Sequence, residues 1–219
     1  MTYEYDFLVL GSGIAGLIYA LEVSKSGKVA VITKRSLYDC NTDYAQGGIA
    51  AVLDAQDSFA EHIEDTFIAS AELGKKEVIK RIIEQGPSLI QYLVDLGTDF
   101  TRNDDSYDNR LENLSLTMEG GHTRRRVAHA ADSTGHQILE ALVTQCVMNP
   151  NISIFENRIA IDLITQHHVV HDDGFIPGVS CWGAYVLDSI TNEVDIFKAR
   201  KTMLATGGAA QIYAHNTNT

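Results

Sequence analysis

Residues Asp6-Phe7-Leu8-Val9-Leu10 run straight into the turn Gly11-Ser12-Gly13-Ile14-Ala15-Gly16, and an apolar-periodic stretch from Ile14 to Val23 follows without a break. That order is strand, glycine turn, helix, and a second apolar run, Lys28–Thr33, closes a βαβ unit. In such a unit the first glycine permits the tight turn, the second lets the backbone approach a pyrophosphate, and the third lets the helix lie close on its strand. Phosphates then sit at the helix N-terminus, where unpaired N–H groups and the positive dipole end attract anions. The motif therefore predicts an α/β, Rossmann-like dinucleotide-binding fold. By itself it does not choose between NAD and FAD.

The 219 residues, 45% of them hydrophobic, suffice for one sizeable α/β domain with at most a small appended lobe. A formal net charge of -12 argues against nucleic acid or an anionic membrane surface as partner, because both need a basic footprint. The first strand begins within a few residues of Met1 and no apolar run approaches the ~18 residues of a membrane span, so the expected location is the cytoplasm. Cys40, Cys146 and Cys181 are odd in number and widely spaced, indicating reduced thiols rather than disulfides or a zinc site.

Along the chain, the second strand ends in Thr33-Lys34-Arg35, with no carboxylate where an NAD fingerprint places one on the ribose hydroxyls. Lys34 either offers a positive charge to the ribose and phosphates or belongs to a solvated basic turn. In Asn41-Thr42-Asp43-Tyr44-Ala45-Gln46-Gly47-Gly48 the glycine pair would let backbone N–H groups face a flat ring, with Thr42 and Gln46 bonding its edge; a plain glycine loop is the alternative.

Three helices are expected next: one in Asp57–Leu73 burying Phe59, Ile63 and Phe67, one over Lys76–Gln85, and one opened by Pro87 and stopped at Gly97. His62 is read as a surface or packed residue without a role. The polar run Thr101–Leu114, with Asn103-Asp104-Asp105 and Asp108-Asn109-Arg110, reads as a loop or irregular hairpin rather than a metal site. Glu119-Gly120-Gly121-His122 and Arg124-Arg125-Arg126 then concentrate reactive groups, a landing place for a carboxylate substrate.

Asp132 or Ser133 caps a further helix whose buried face includes Leu139, Leu142, Val143 and Cys146. Strands over Ser153–Phe155, Ile159–Thr165, Ser180–Leu187, Glu193–Ala199 and Lys201–Ala205 form a β-meander that returns to the main sheet. His167, His168 and His171 with Asp172-Asp173 fit no strong metal signature and read as an exposed loop.

Taken together, the glycine turn, the Asn41–Val52 segment, the Glu119–Gly135 segment and the closing Ala205-Thr206-Gly207-Gly208 resemble the flavoproteins of the fumarate reductase and succinate dehydrogenase family, and within it the L-aspartate oxidases. The resemblance implies non-covalent FAD. Its pyrophosphate would lie on Gly11, Ser12, Gly13, Ile14, Ala15 and Gly16, and its ribose near Lys34. Asn41, Thr42, Tyr44, Ala45, Gln46, Gly47 and Gly48 would surround its ring, the Ala160 backbone would lie near its adenine, and Ala205, Thr206 and Gly207 would close the site. Covalent relatives use a histidine where Asn41 stands.

The resemblance also implies oxidation of L-aspartate to iminoaspartate, with fumarate or oxygen as acceptor, as the first step of NAD biosynthesis. Glu119 would meet the substrate ammonium, His122 and Arg126 would complete the catalytic set, and quinolinate synthase is an expected partner. Residues 1–219 would be the N-terminal, FAD-binding part of such an enzyme, lacking the capping and helical domains and inactive alone. A succinate or fumarate enzyme and a non-catalytic FAD-binding module remain as alternatives.

Overall fold

A computed structural model of the chain describes residues 1–103, 110–166 and 178–216. The expected exposed loop carrying His167, His168, His171, Asp172 and Asp173, and the Asp104, Asp105, Asp108 and Asn109 part of the acidic run, lie outside the described residues. The chain divides into two compact units, Met1–Asp43 with Leu142–Thr219, and Tyr44–Ala141.

In the first unit, β1 (Thr2–Leu10), the glycine turn, α1 (Ile14–Val23) and β2 (Val29–Ile32) form the expected βαβ unit. The sheet has six strands in the order β6-β2-β1-β9-β8-β7, where β6 is Ile152–Phe155, β7 Arg158–Thr165, β8 Cys181–Asp188 and β9 Val194–Leu204. Pairing is parallel from β6 through β2 and β1 to β9 and antiparallel from β9 through β8 to β7. The parallel sheet and returning meander are those the sequence predicts. The two expected strands Glu193–Ala199 and Lys201–Ala205 are, however, one. β9 pairs with β8 through Lys198 and with β1 through Leu204, so the ladder on its β1 side carries it across the charged Lys198-Ala199-Arg200-Lys201 run.

Alternation along β1 sends Leu8 and Leu10 to one face, where they pack with Ile32, Val186 and Phe197, and Tyr3 stacks on Phe197 at 4.6 Å. On the other side of the alternation Val9, Val29 and Val31 are fully buried, as are Leu17, Leu142 and Cys146. Burial pushes the Cys146 thiol up to about 12.

The second unit contains a small antiparallel sheet in the order β3-β5-β4, made of Ile49–Ala50, Leu116–Thr117 and Val127–Ala128 for β3, β4 and β5. With it go α2 (Phe59–Ala69) and α3 (Lys76–Asp95). The helix α4 (Thr134–Met148) has its first residues in this unit and its last in the other. Arg102 bridges Leu114 in antiparallel fashion, so the ends of the polar run do form an irregular hairpin.

Two expectations fail here. Pro87 does not open a third helix but lies inside α3. A mid-helix proline costs about 3 kcal/mol, yet Ile79, Ile83, Ile90, Leu93 and Val94 form one buried stripe on both sides of it, and packing overrides the local preference. In α2 the buried residues are His62 and Asp65, while Phe59 is exposed.

Candidate functional site

The glycine turn ends in a cradle. Gly11 sits at φ +116°, and a Cβ there would collide with the carbonyl oxygen of Ala205, so the end of β1 and the segment after β9 are in backbone contact. Gly16 is equally tight against the carbonyl of Gly11. Gly13 caps α1 without a side-chain bond, and the amide of Leu17 is the first to bond back, to Gly13 O at 3.0 Å. Thr42 Oγ1 accepts from the Ile14 amide at 3.1 Å, which leaves the Ala15 and Gly16 amides ahead of the helical ladder, in the position that binds anions.

Beside this turn lies a cavity of about 520 Å³ within the first unit, a volume suited to a ligand of cofactor size. Of the expected cofactor residues, Gly11, Ser12, Gly13, Ile14 and Ala15 line it, together with Lys34, Asn41, Thr42, Ala160, Ala205, Thr206 and Gly207. Gly16 packs behind the turn instead. Tyr44, Ala45, Gln46, Gly47 and Gly48 belong to the second unit.

At the end of β2, where an acid usually stands, is Thr33, whose Oγ1 accepts from Ser12 Oγ of the glycine turn at 3.0 Å; both residues are buried. Asp39, Cys40 and Arg158 also line the cavity, and the sequence reading missed them. Arg158 pairs with Asp188, while its Nε is buried without a partner among the described residues. Its place at the head of the strand that carries Ala160 was the available signal. Amides at a helix start, two cations and close-approach glycines suit a dinucleotide pyrophosphate and ribose, so the donor set fits FAD.

The second unit holds the other candidates. Glu119 is exposed, and its turn is closed by the His122 amide donating to Glu119 O at 3.2 Å, with Gly121 at φ +85°. The Glu119 carboxylate lies beside Gly47, where an added Cβ would come 3.6 Å from Oε1. Gly48 has a different reason to be glycine, since a Cβ there would strike the carbonyl oxygen of Ala128 in β5.

Arg126 does not face a substrate. It is fully buried, its Nε and Nη2 each donate to Asp57 at 2.8 Å, and its Nη1 donates to Asp65 Oδ2 at 2.6 Å. The expectation that its guanidinium receives a carboxylate ligand is corrected: two internal carboxylates already occupy the fork. Both come from α2 and its N-terminal approach, which Ser58 caps by accepting from the Glu61 amide. Arg124 pairs with Glu61 at 2.8 Å, so Asp57, Glu61 and Asp65, spaced i, i+4, i+8, put one acidic helix face against two arginines.

His62 belongs to the same cluster. Burial, the Arg126 charge and His122 push its pKa down to about 4 from an ordinary 6.5, outweighing Asp57 and Asp65. A histidine buried neutral is lost to acid: the unfolded chain takes up a proton below about 6.5 and the folded one only near 4. Stability contributed above pH 6.5 therefore falls through that window, by about 3 kcal/mol at most. Urea unfolding at pH 7 and pH 4.5 is expected to show this loss in the wild type and a smaller one in His62→Gln.

The model of the family described as FAD binding domain matches residues 6–219. Among curated relatives, a chloroplastic L-aspartate oxidase of Arabidopsis thaliana is 45% identical over 99% of this chain and 31% of its own length. L-aspartate oxidase 1 of Ralstonia nicotianae is 44% identical over 98% of this chain and 39% of its own. The chain thus spans about a third of the length of the curated relatives it matches. Among solved structures, a quinol fumarate reductase of E. coli superposes with a TM-score of 0.86 at 27% identity, covering 100% of this chain and 35% of that one.

Proposed function

Because the chain belongs to the FAD-binding domain family, which it matches over residues 6–219, we propose that it is the FAD-binding domain of an enzyme that oxidises L-aspartate to iminoaspartate, passing the electrons to fumarate or oxygen. When bound, FAD supplies the two-electron acceptor that takes a carbon–nitrogen single bond to an imine. The residues of the first unit hold it: the glycine turn and the Ala15 amide take the pyrophosphate, Lys34 offers it a positive charge, and Asn41 leaves it non-covalent. Asn41 and Thr42, which line the cavity, are proposed to meet its ring. The reading is of a reaction in the cytoplasm, supported by three free cysteines. Among the described residues no helix is long and apolar enough to cross a membrane.

The observation that carries the choice of substrate is the exposed Glu119 carboxylate on its glycine turn. An acid there pairs with an ammonium and repels a plain dicarboxylate. His122 follows in the same turn and is proposed to share the substrate site. An imine of this kind hydrolyses in water, which supports a consuming partner such as quinolinate synthase.

The second reading, a fumarate reductase or succinate dehydrogenase flavoprotein, is favoured by the structural neighbours. Glu119→Gln separates the two in the whole enzyme. Loss of a charge-assisted bond is expected to raise KM for L-aspartate about ten- to a hundredfold, and fumarate reduction should persist. Succinate oxidation by the unaltered enzyme at a rate above that of aspartate would favour the second reading.

A further inference from the structure

The turn that carries Glu119 is exposed from Met118 to Gly121. Its anchor lies two residues on. Thr123 donates both its amide, at 2.9 Å, and its hydroxyl, at 2.8 Å, to a single oxygen, Oδ2 of Asp65. The same oxygen receives Arg126 Nη1, and Arg126 is gripped in turn by both oxygens of Asp57. The side chains of Arg126 and Asp57 are 0% and 1% exposed, so this triad is a fixed internal point.

Arg126 reaches the turn a second way. Its Nη1 lies 3.5 Å from His122 Nδ1. A guanidinium has only donors, so Nδ1 must accept, and the proton of the neutral imidazole then belongs on Nε2. The His62 ring meets the His122 ring edge to face at 5.6 Å from the same helix that supplies Asp65. Among the described residues, the His122 ring thus meets Arg126 and His62, and Asp57 and Asp65 lie behind them as the partners of Arg126.

We propose that the Asp57–Arg126–Asp65 triad is the positioning element of the substrate-recognition turn, directing the Glu119 carboxylate through Thr123 and holding His122 as its Nε2–H tautomer. The inference rests on the reading that Glu119 meets the substrate ammonium. Asp65 and Arg126 act through Thr123 and His122 and are positioning residues. A loosened turn misdirects Glu119, so a substrate with an ammonium suffers and one without it does not.

The test uses the whole flavoprotein with Asp65→Asn, Thr123→Val and Thr123→Ser. For the first two, KM for L-aspartate is expected to rise about tenfold, the loss of one charge-assisted hydrogen bond. Fumarate reduction by the dithionite-reduced enzyme should stay within about twofold, and Thr123→Ser should restore aspartate oxidation because the hydroxyl returns. Equal losses with both substrates, or an unchanged KM for aspartate, would overturn the proposal. Should Asp65→Asn not fold, Thr123→Val decides on the same terms.

Nitrogen NMR of isotope-labelled histidine near neutral pH reads the tautomer independently of turnover. An Nε2–H ring for His122 in the wild type sustains the inference, because Arg126 Nη1 needs Nδ1 as its acceptor; an Nδ1–H ring overturns it. Failure of the unaltered enzyme to oxidise aspartate would defeat the functional reading, and the tautomer would still decide this one.

Discussion

Replacing Arg126 with methionine is expected to cost about 3–5 kcal/mol of folding stability, among the largest effects available to a single change in this chain. The guanidinium is fully buried and answers two carboxylates, Asp57 and Asp65, whose side chains are 1% and 9% exposed. Removing it leaves both in a poorly solvated space with no countercharge. Desolvation opposes the charge on Arg126, but the hydrogen bonds it donates to both carboxylates outweigh this and hold its pKa above the ordinary range. Urea unfolding at neutral pH measures the loss. Because a buried ion cluster can often be exchanged whole for neutral groups at little cost, the triple variant Arg126→Met, Asp57→Asn, Asp65→Asn should recover much of it. A loss below about 1 kcal/mol in the single variant would show that the triad is not desolvated as described.

Gly11→Ala is expected to abolish stable FAD binding. At φ +116° an alanine is strained by about 1–3 kcal/mol before any contact is considered. Its Cβ would also overlap the Ala205 carbonyl oxygen and stand 2.8 Å from the carbonyl carbon. Both contacts are backbone, so relief requires the strand ends of β1 and β9 to part, and these form the wall of the cavity. Equilibrium dialysis with FAD, followed by the flavin absorbance retained, checks this. Undiminished binding would move the cofactor away from the glycine turn.

The first unit was legible because local and global signals agree there. An apolar strand, glycines at close-approach positions and a periodic helix all demand one arrangement, and α1 begins and ends where the periodicity puts it, at Ile14 and Val23. The fold was misread where a long-range contact outweighs local chemistry, as in α3, whose buried stripe runs through Pro87, and in β9, which its pairing with β1 holds together across Arg200 and Lys201.

The buried charge cluster was not legible for a related reason. Asp57 and Asp65 lie 69 and 61 residues from Arg126 in sequence, and acids on a helix face read as solvated until their partner is located. Three adjacent arginines look equivalent on paper. In the fold, Arg124 pairs with Glu61 at the surface, Arg125 is exposed and Arg126 is entombed. The cavity contribution of Arg158 carried no motif, and its place two residues before Ala160 at the start of β7 was the one signal for it.

The cavity beside the glycine turn is proposed to hold FAD, and Glu119 to select an amino-dicarboxylate for oxidation. The most direct measurement is an anaerobic titration of the FAD-loaded whole enzyme with L-aspartate and, separately, with succinate, following the flavin absorbance. Aspartate is expected to bleach the flavin and succinate to leave it oxidised. Bleaching by succinate with aspartate inert would contradict it.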